Sequence, residues 1–134
     1  MNEPQWILET VVRAIHGRQL AEHGGSEGIR DEALLGSALA RPLNRWAYST
    51  PTLFELAASY CFGIVQNHPF VDGNKRTGLV LMLLFLRLNG EEIEASEEEK
   101  YQLMIQLADS TLSEEELARW LLLHRRGLQH DLEA

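Results

Sequence analysis

Between His68 and Thr77 the chain reads His-Pro-Phe-Val-Asp-Gly-Asn-Lys-Arg-Thr, and five of these side chains can do chemistry at close spacing. His68 is the kind of residue that exchanges a proton near neutral pH. Asp72 offers hard oxygens to a divalent cation, Asn74 donates through its amide, and Lys75 and Arg76 bring two positive charges. The apolar run that follows, Leu79 to Leu86, is rich in straight-chain residues and predicts a buried helix whose N-terminus faces the polar cluster. N–H groups at a helix start have no intrahelical acceptor, and the helix dipole places about half a positive charge there, so an anion suits this end. A base, a carboxylate and a cationic cradle point to phosphoryl or nucleotidyl transfer. His68 would take the proton of a hydroxyl substrate, while the cradle and a magnesium ion on Asp72 hold the phosphates in line. A solvated loop ahead of a capped helix explains any one of these residues equally well. It explains poorly five of them within the nine positions from His68 to Arg76.

The elements that must position this cluster read as helices throughout. Trp6, Ile7, Val11, Val12, Ile15 and Leu20 recur at helical spacing and predict a first helix from near Pro4 to about Glu22, ended by His23-Gly24-Gly25. Asp31 caps a second, through Leu34, Leu35, Ala38 and Leu39, which Pro42 is expected to stop. Residues 43–50 show no clear period and are expected to form a loop or small hairpin. Thr52 and Glu55 make a capping box for a helix that ends before Pro69. The apolar helix comes next, is taken as the central one, and stops at Asn89-Gly90. Ser96 opens a further helix and Ser113 a last one, and Ile93 lies in a short extended piece. With no repeat, linker or alternating pattern, the expectation is an all-α, single-domain helical bundle over residues 1–134 around a central buried helix.

Composition excludes some partners and leaves others. The formal charge of −8 argues against general nucleic-acid binding, which rests on a basic face that neutralises phosphates. The acidic runs at 91–92, 97–99 and 114–116 read as solvated helix starts. No apolar run approaches the roughly 20 residues of a membrane span, and no secretory signal is visible at the N-terminus, so a soluble cytoplasmic protein is expected. Cys61, the single cysteine, reads as core. His16, His23, His124 and His130 lack metal spacing and read as satisfied or exposed. Arg125 and Arg126 suit the C-terminal end of the last helix.

The string from His68 to Arg76 resembles the signature of the Fic/Doc family, H-x-F-x-[D/E]-[A/G]-N-[G/K]-R. An upstream block, Gly28-Ile29-Arg30-Asp31 with Leu34-Leu35, Ser37-Ala38-Leu39 and Arg41-Pro42, is similar to the Doc branch. The likeness covers about Ile15 to Gly90. It implies a Fic/Doc-like fold, His68 as general base, Asp72 as magnesium ligand, and Asn74, Lys75 and Arg76 as phosphate binders, with Gly73 leaving room for backbone contact. Lysine at position 75, where the adenylylating Fic branch usually carries glycine, sides with Doc. That branch implies a toxin that uses ATP and magnesium to phosphorylate a threonine of elongation factor Tu, inhibiting translation. The Fic branch implies AMP transfer instead, and a non-catalytic antitoxin-binding module is the third possibility. The self-blocking motif of autoinhibited relatives, [S/T]-x-x-x-E-[G/N], is absent; Thr111 to Glu115 comes closest but continues with Glu116. Inhibition is then expected from an antitoxin protein docking a helix in a groove. The loop expected at Asn44 to Tyr48 lies where relatives keep a flap that aligns the target.

Overall fold

The computed structural model describes residues 1–127, and within them the regular structure is helical. Helix α1 spans Glu9–His23, α2 Glu32–Tyr48, α3 Leu53–Asn67, α4 Asn74–Leu88, α5 Glu97–Ala108 and α6 Glu114–Leu123. Local capping chemistry sets most of the starts. Asp31 accepts from the Leu34 N–H at α2, and complete capping boxes open α3 (Thr52/Glu55), α5 (Ser96/Glu99) and α6 (Ser113/Glu116), as the sequence predicts. Ile93 forms an isolated antiparallel bridge with Arg125, the expected short extended piece. Among the described residues no helix is long and apolar enough to cross a membrane.

Several expectations fail, most of them because a long-range contact overrides a local signal. Helix α1 begins at Glu9, not near Pro4. Residues ahead of it run as a strap whose backbone bonds to distant side chains: the Gln5 N–H donates to Asn89 Oδ1 at 2.8 Å and the Ile7 N–H to the Tyr60 hydroxyl at 3.1 Å. Trp6 packs against Trp46 and Phe85 at centroid separations of 6.4 and 5.9 Å.

Pro42 does not end α2, which continues to Tyr48 and turns the expected 44–48 loop into helix. Proline removes the N–H that would bond the Ala38 carbonyl. That carbonyl instead faces Gly63 of α3, where a Cβ would sit only 3.1 Å away. The turn beyond Pro42 is held by Arg45, which donates to Glu114 and to Glu55, both at 2.9 Å. Trp46 covers the core edge, but from a helix. Glu114, expected to be solvated, is buried at 7 % exposure, where Arg41, Arg45 and Ser59 converge on its carboxylate. The pair at 91–92 also lies outside any helix start, with Glu92 bound to Arg126 and Arg87.

The central helix is α3 and not α4. Nine consecutive or near-consecutive residues of α3 from Phe54 to Ile64 are buried, including Tyr60 and Cys61, and the helix packs against α2, α4 and α6. Helix α4 buries one face, through Thr77, Gly78, Leu81, Met82, Phe85 and Leu86, while Leu79, Val80, Leu83 and Leu84 stay partly open. Gly78 lets α4 lie close on α3: a Cβ there would meet the Cys61 carbonyl oxygen at 3.2 Å. This tight pair sets the C-terminus of α3 beside the N-terminus of α4, and the six-residue connection between them is the His68 to Gly73 segment.

Candidate active site

His68 ends α3 in the left-handed conformation (φ 50°, ψ 53°), which is uncommon outside glycine. The loop from α1 to α2 holds it there. The Arg30 guanidinium caps the end of α3, with Nε donating to the His68 carbonyl at 2.7 Å and Nη2 to that of Asn67 at 2.9 Å. The N–H groups of Arg30 and Asp31 both donate to the Pro69 carbonyl, and Val71 donates to Gly28, so the His68 to Gly73 segment lies bridged to the block upstream of α2.

Phe70 is fully buried and anchors the loop. Its ring stacks on His16 of α1 at 3.7 Å. His16 is itself 6 % exposed and bonds through Nε2 to the Asp72 carbonyl at 2.8 Å. The expectation of a satisfied histidine holds for it, yet its role in supporting the loop was not read from the sequence. The available signal was its spacing, one helical turn after the buried Val12. His23 is exposed, and His124 bonds the Trp120 carbonyl and the Glu99 carboxylate. His130 lies outside the described residues. Arg126, expected to serve the end of α6, pairs with Glu92 at 2.6 Å.

Asp72 is exposed and its Oδ2 accepts the Ser26 N–H at 2.7 Å. Gly73 is the N-cap of α4 with φ 82°, a conformation that glycine adopts without strain. No side chain caps α4, and its first intrahelical bond is from Thr77 to the Gly73 carbonyl. The N–H groups of Asn74, Lys75 and Arg76 are therefore left as donors at the positive end of the helix dipole. Lys75 and Arg76 are exposed and have no side-chain hydrogen bond or ion pair among the described residues.

Asn74 has a different geometry from its neighbours. It is 4 % exposed, its Oδ1 accepts the Phe70 N–H at 3.0 Å, and its Nδ2 donates to the Phe70 carbonyl at 2.9 Å and lies 3.1 Å from His68 Nδ1. Both amide hydrogens are thus committed inside the loop, and its backbone N–H is what it can offer an anion. The structure brings His68 and Asn74 into contact and sets Lys75 and Arg76 on the adjoining turn, with Asp72 on the same connection as His68, held by His16 of α1 and by Ser26. The result is an open rim of one titratable base, one carboxylate and a cationic helix start, accessible to a macromolecule.

Comparison with known families matches residues 6–86 to the model described as the Fic/DOC family. "Protein kinase doc" of Escherichia phage P1 is 38 % identical over 86 residues, a stretch covering 63 % of this chain and 68 % of that protein. "Toxin Doc" of Mycolicibacterium smegmatis (strain ATCC 700084 / mc(2)155) is 39 % identical over 75 residues, covering 54 % of this chain and 57 % of that protein.

Proposed function

This chain belongs to the Fic/Doc family, and on that basis we propose that it is a toxin of a toxin-antitoxin pair that acts as a protein kinase, moving the γ-phosphate of ATP onto a protein hydroxyl. The observation that carries the reading is the first turn of α4, which carries three donor N–H groups and the exposed Lys75 and Arg76 and whose first residue, Asn74, contacts the anchored His68. A triphosphate seated there is held by backbone dipoles and two cations, which is mostly positioning and electrostatic stabilisation, the main needs of phosphoryl transfer. The incoming hydroxyl gives its proton to His68 as its oxygen bonds the γ-phosphorus and the bond to ADP breaks. The exposure of His68 suits a substrate that is itself a folded protein.

Magnesium fits the donor set through Asp72. One carboxylate plus phosphate oxygens and water is a usual arrangement for this ion, and Ser26 occupies only Oδ2. When bound, it would neutralise charge on the phosphates. Elongation factor Tu, through a threonine, is the target that the Doc resemblance favours. The inhibitor is an antitoxin segment that folds as a helix on the surface. The groove between α1 and α4, with Ile15, Val80, Leu83 and Leu84 partly open, is of the apolar kind that receives such a helix.

The test supplies ATP labelled at the γ or the α position, magnesium, and purified elongation factor Tu or a cytosolic extract. The expected result is label on protein from the γ position only, lost with His68→Ala. Label from the α position alone would replace this reading with adenylylation, and no label from folded protein would replace it with a binding module.

A further inference from the structure

The orientation of the Asn74 amide is fixed by two backbone groups of one residue. An N–H must meet the carbonyl end and a C=O the amino end, and Phe70 supplies both, to Oδ1 and Nδ2 respectively. A flipped amide would oppose donor to donor and acceptor to acceptor. The group facing His68 Nδ1 is therefore an N–H donor. An imidazole nitrogen that accepts a hydrogen bond holds its lone pair there, so neutral His68 carries its proton on the other nitrogen, Nε2. Nε2 has no hydrogen-bond partner among the described residues, and His68 is exposed.

We propose that Asn74 is a positioning residue that fixes the tautomer of His68, so that the resting site presents a proton donor, Nε2–H, and keeps the basic lone pair latched against the loop. The inference rests on the reading of His68 as the proton-accepting group. For that role the imidazole must leave the Asn74 amide, exposing Nδ1 to the hydroxyl. In the transfer the substrate O–H bond breaks, its proton joins Nδ1, its oxygen bonds phosphorus, and ADP departs with the electrons of the broken P–O bond. The resulting imidazolium gives one proton to solvent. The latch gives Asn74 a use for its side chain distinct from phosphate binding.

The tautomer is read directly by two-bond 15N–1H correlation of the histidine rings, in alkaline buffer where imidazoles are neutral, with the His68 pattern assigned by its absence from His68→Ala. In the wild-type protein the pattern should be that of Nε2–H. Asn74→Asp keeps an acceptor for the Phe70 N–H but faces His68 with a carboxylate oxygen, so the pattern should reverse to Nδ1–H. Asn74→Ser, whose hydroxyl is too short to reach His68, should restore the solvent-averaged pattern of a free ring. A wild-type Nδ1–H pattern, or an Asn74→Asp pattern identical to wild type in a protein with otherwise native amide shifts, would overturn the proposal. The readout needs no transfer activity. A correct tautomer pattern together with unimpaired γ-phosphate transfer by His68→Ala would sink the kinase mechanism and leave the latch standing.

Discussion

At the scale of single residues, the loop depends on a small set of groups that never touch a substrate. Phe70 fills a closed site against His16, so Phe70→Ala should cost about 3–5 kcal/mol in denaturant unfolding and release the segment that carries His68. Gly73→Ala places a side chain at φ 82° and should cost about 1 kcal/mol while lowering transfer more than stability, a split seen by comparing unfolding midpoints with initial rates. Cys61 is fully enclosed, and burial pushes its thiol up to about 12. It should stay silent to a thiol reagent in the native protein and react only at the rate of unfolding, measured by absorbance of the released chromophore. Several of these roles were legible in advance. The core Cys61 and the helix that opens at the polar segment both follow from side-chain type and spacing. The use of Asn74 within the loop was not legible because it depends on how the loop folds back on Phe70, and the support from His16 and Arg30 was not because it depends on which backbone carbonyls a distant segment brings within 3 Å.

At the scale of elements, side-chain caps and glycine stops were readable, whereas the start of α1 and the end of α2 were not. A cap is a local contract between a side chain and an N–H three residues on, so Asp31, Thr52, Ser96 and Ser113 could be found from the sequence. Replacing Thr52 or Ser113 by Ala should each cost about 1 kcal/mol in unfolding free energy, with helix content by circular dichroism unchanged in the native state. Pro42 shows the opposite case. Its steric rule is local, but whether a helix tolerates it depends on the room left beside the Ala38 carbonyl, here by Gly63, and on what grips the next turn, here the Arg45 ion pairs. Pro42→Ala should therefore recover much less than the ~3 kcal/mol that proline costs in an isolated helix, as judged by the shift in denaturant midpoint. The strap at residues 5–7 belongs to the same class, since Trp6 and Ile7 have helical spacing but find their partners on α2, α3 and α4.

At the scale of the whole molecule, α3 connects the site to the rest of the fold, and the carboxylate of Glu114 ties the start of α6 to α2 and α3 together. Burial raises the tendency of Glu114 to hold a proton, but hydrogen bonds from Arg41 and Ser59 and the charges of Arg41 and Arg45 outweigh it and hold the group below the usual carboxylate range. A depressed folded value means that its stabilisation is present above the unfolded value of about 4.3 and fades as pH falls through the folded one. Glu114→Gln should lower stability at neutral pH and flatten the acid side of the stability profile, both followed by thermal unfolding from pH 7 downward. The glycines that let α2 and α4 settle on α3 have a further effect. In a selection that rewards cells for losing a harmful gene product, replacements at Gly63 and Gly78 would be recovered as readily as those at His68. Their lesion is geometric: a single methyl group prising neighbouring rods apart would disarm the protein without altering any reacting atom.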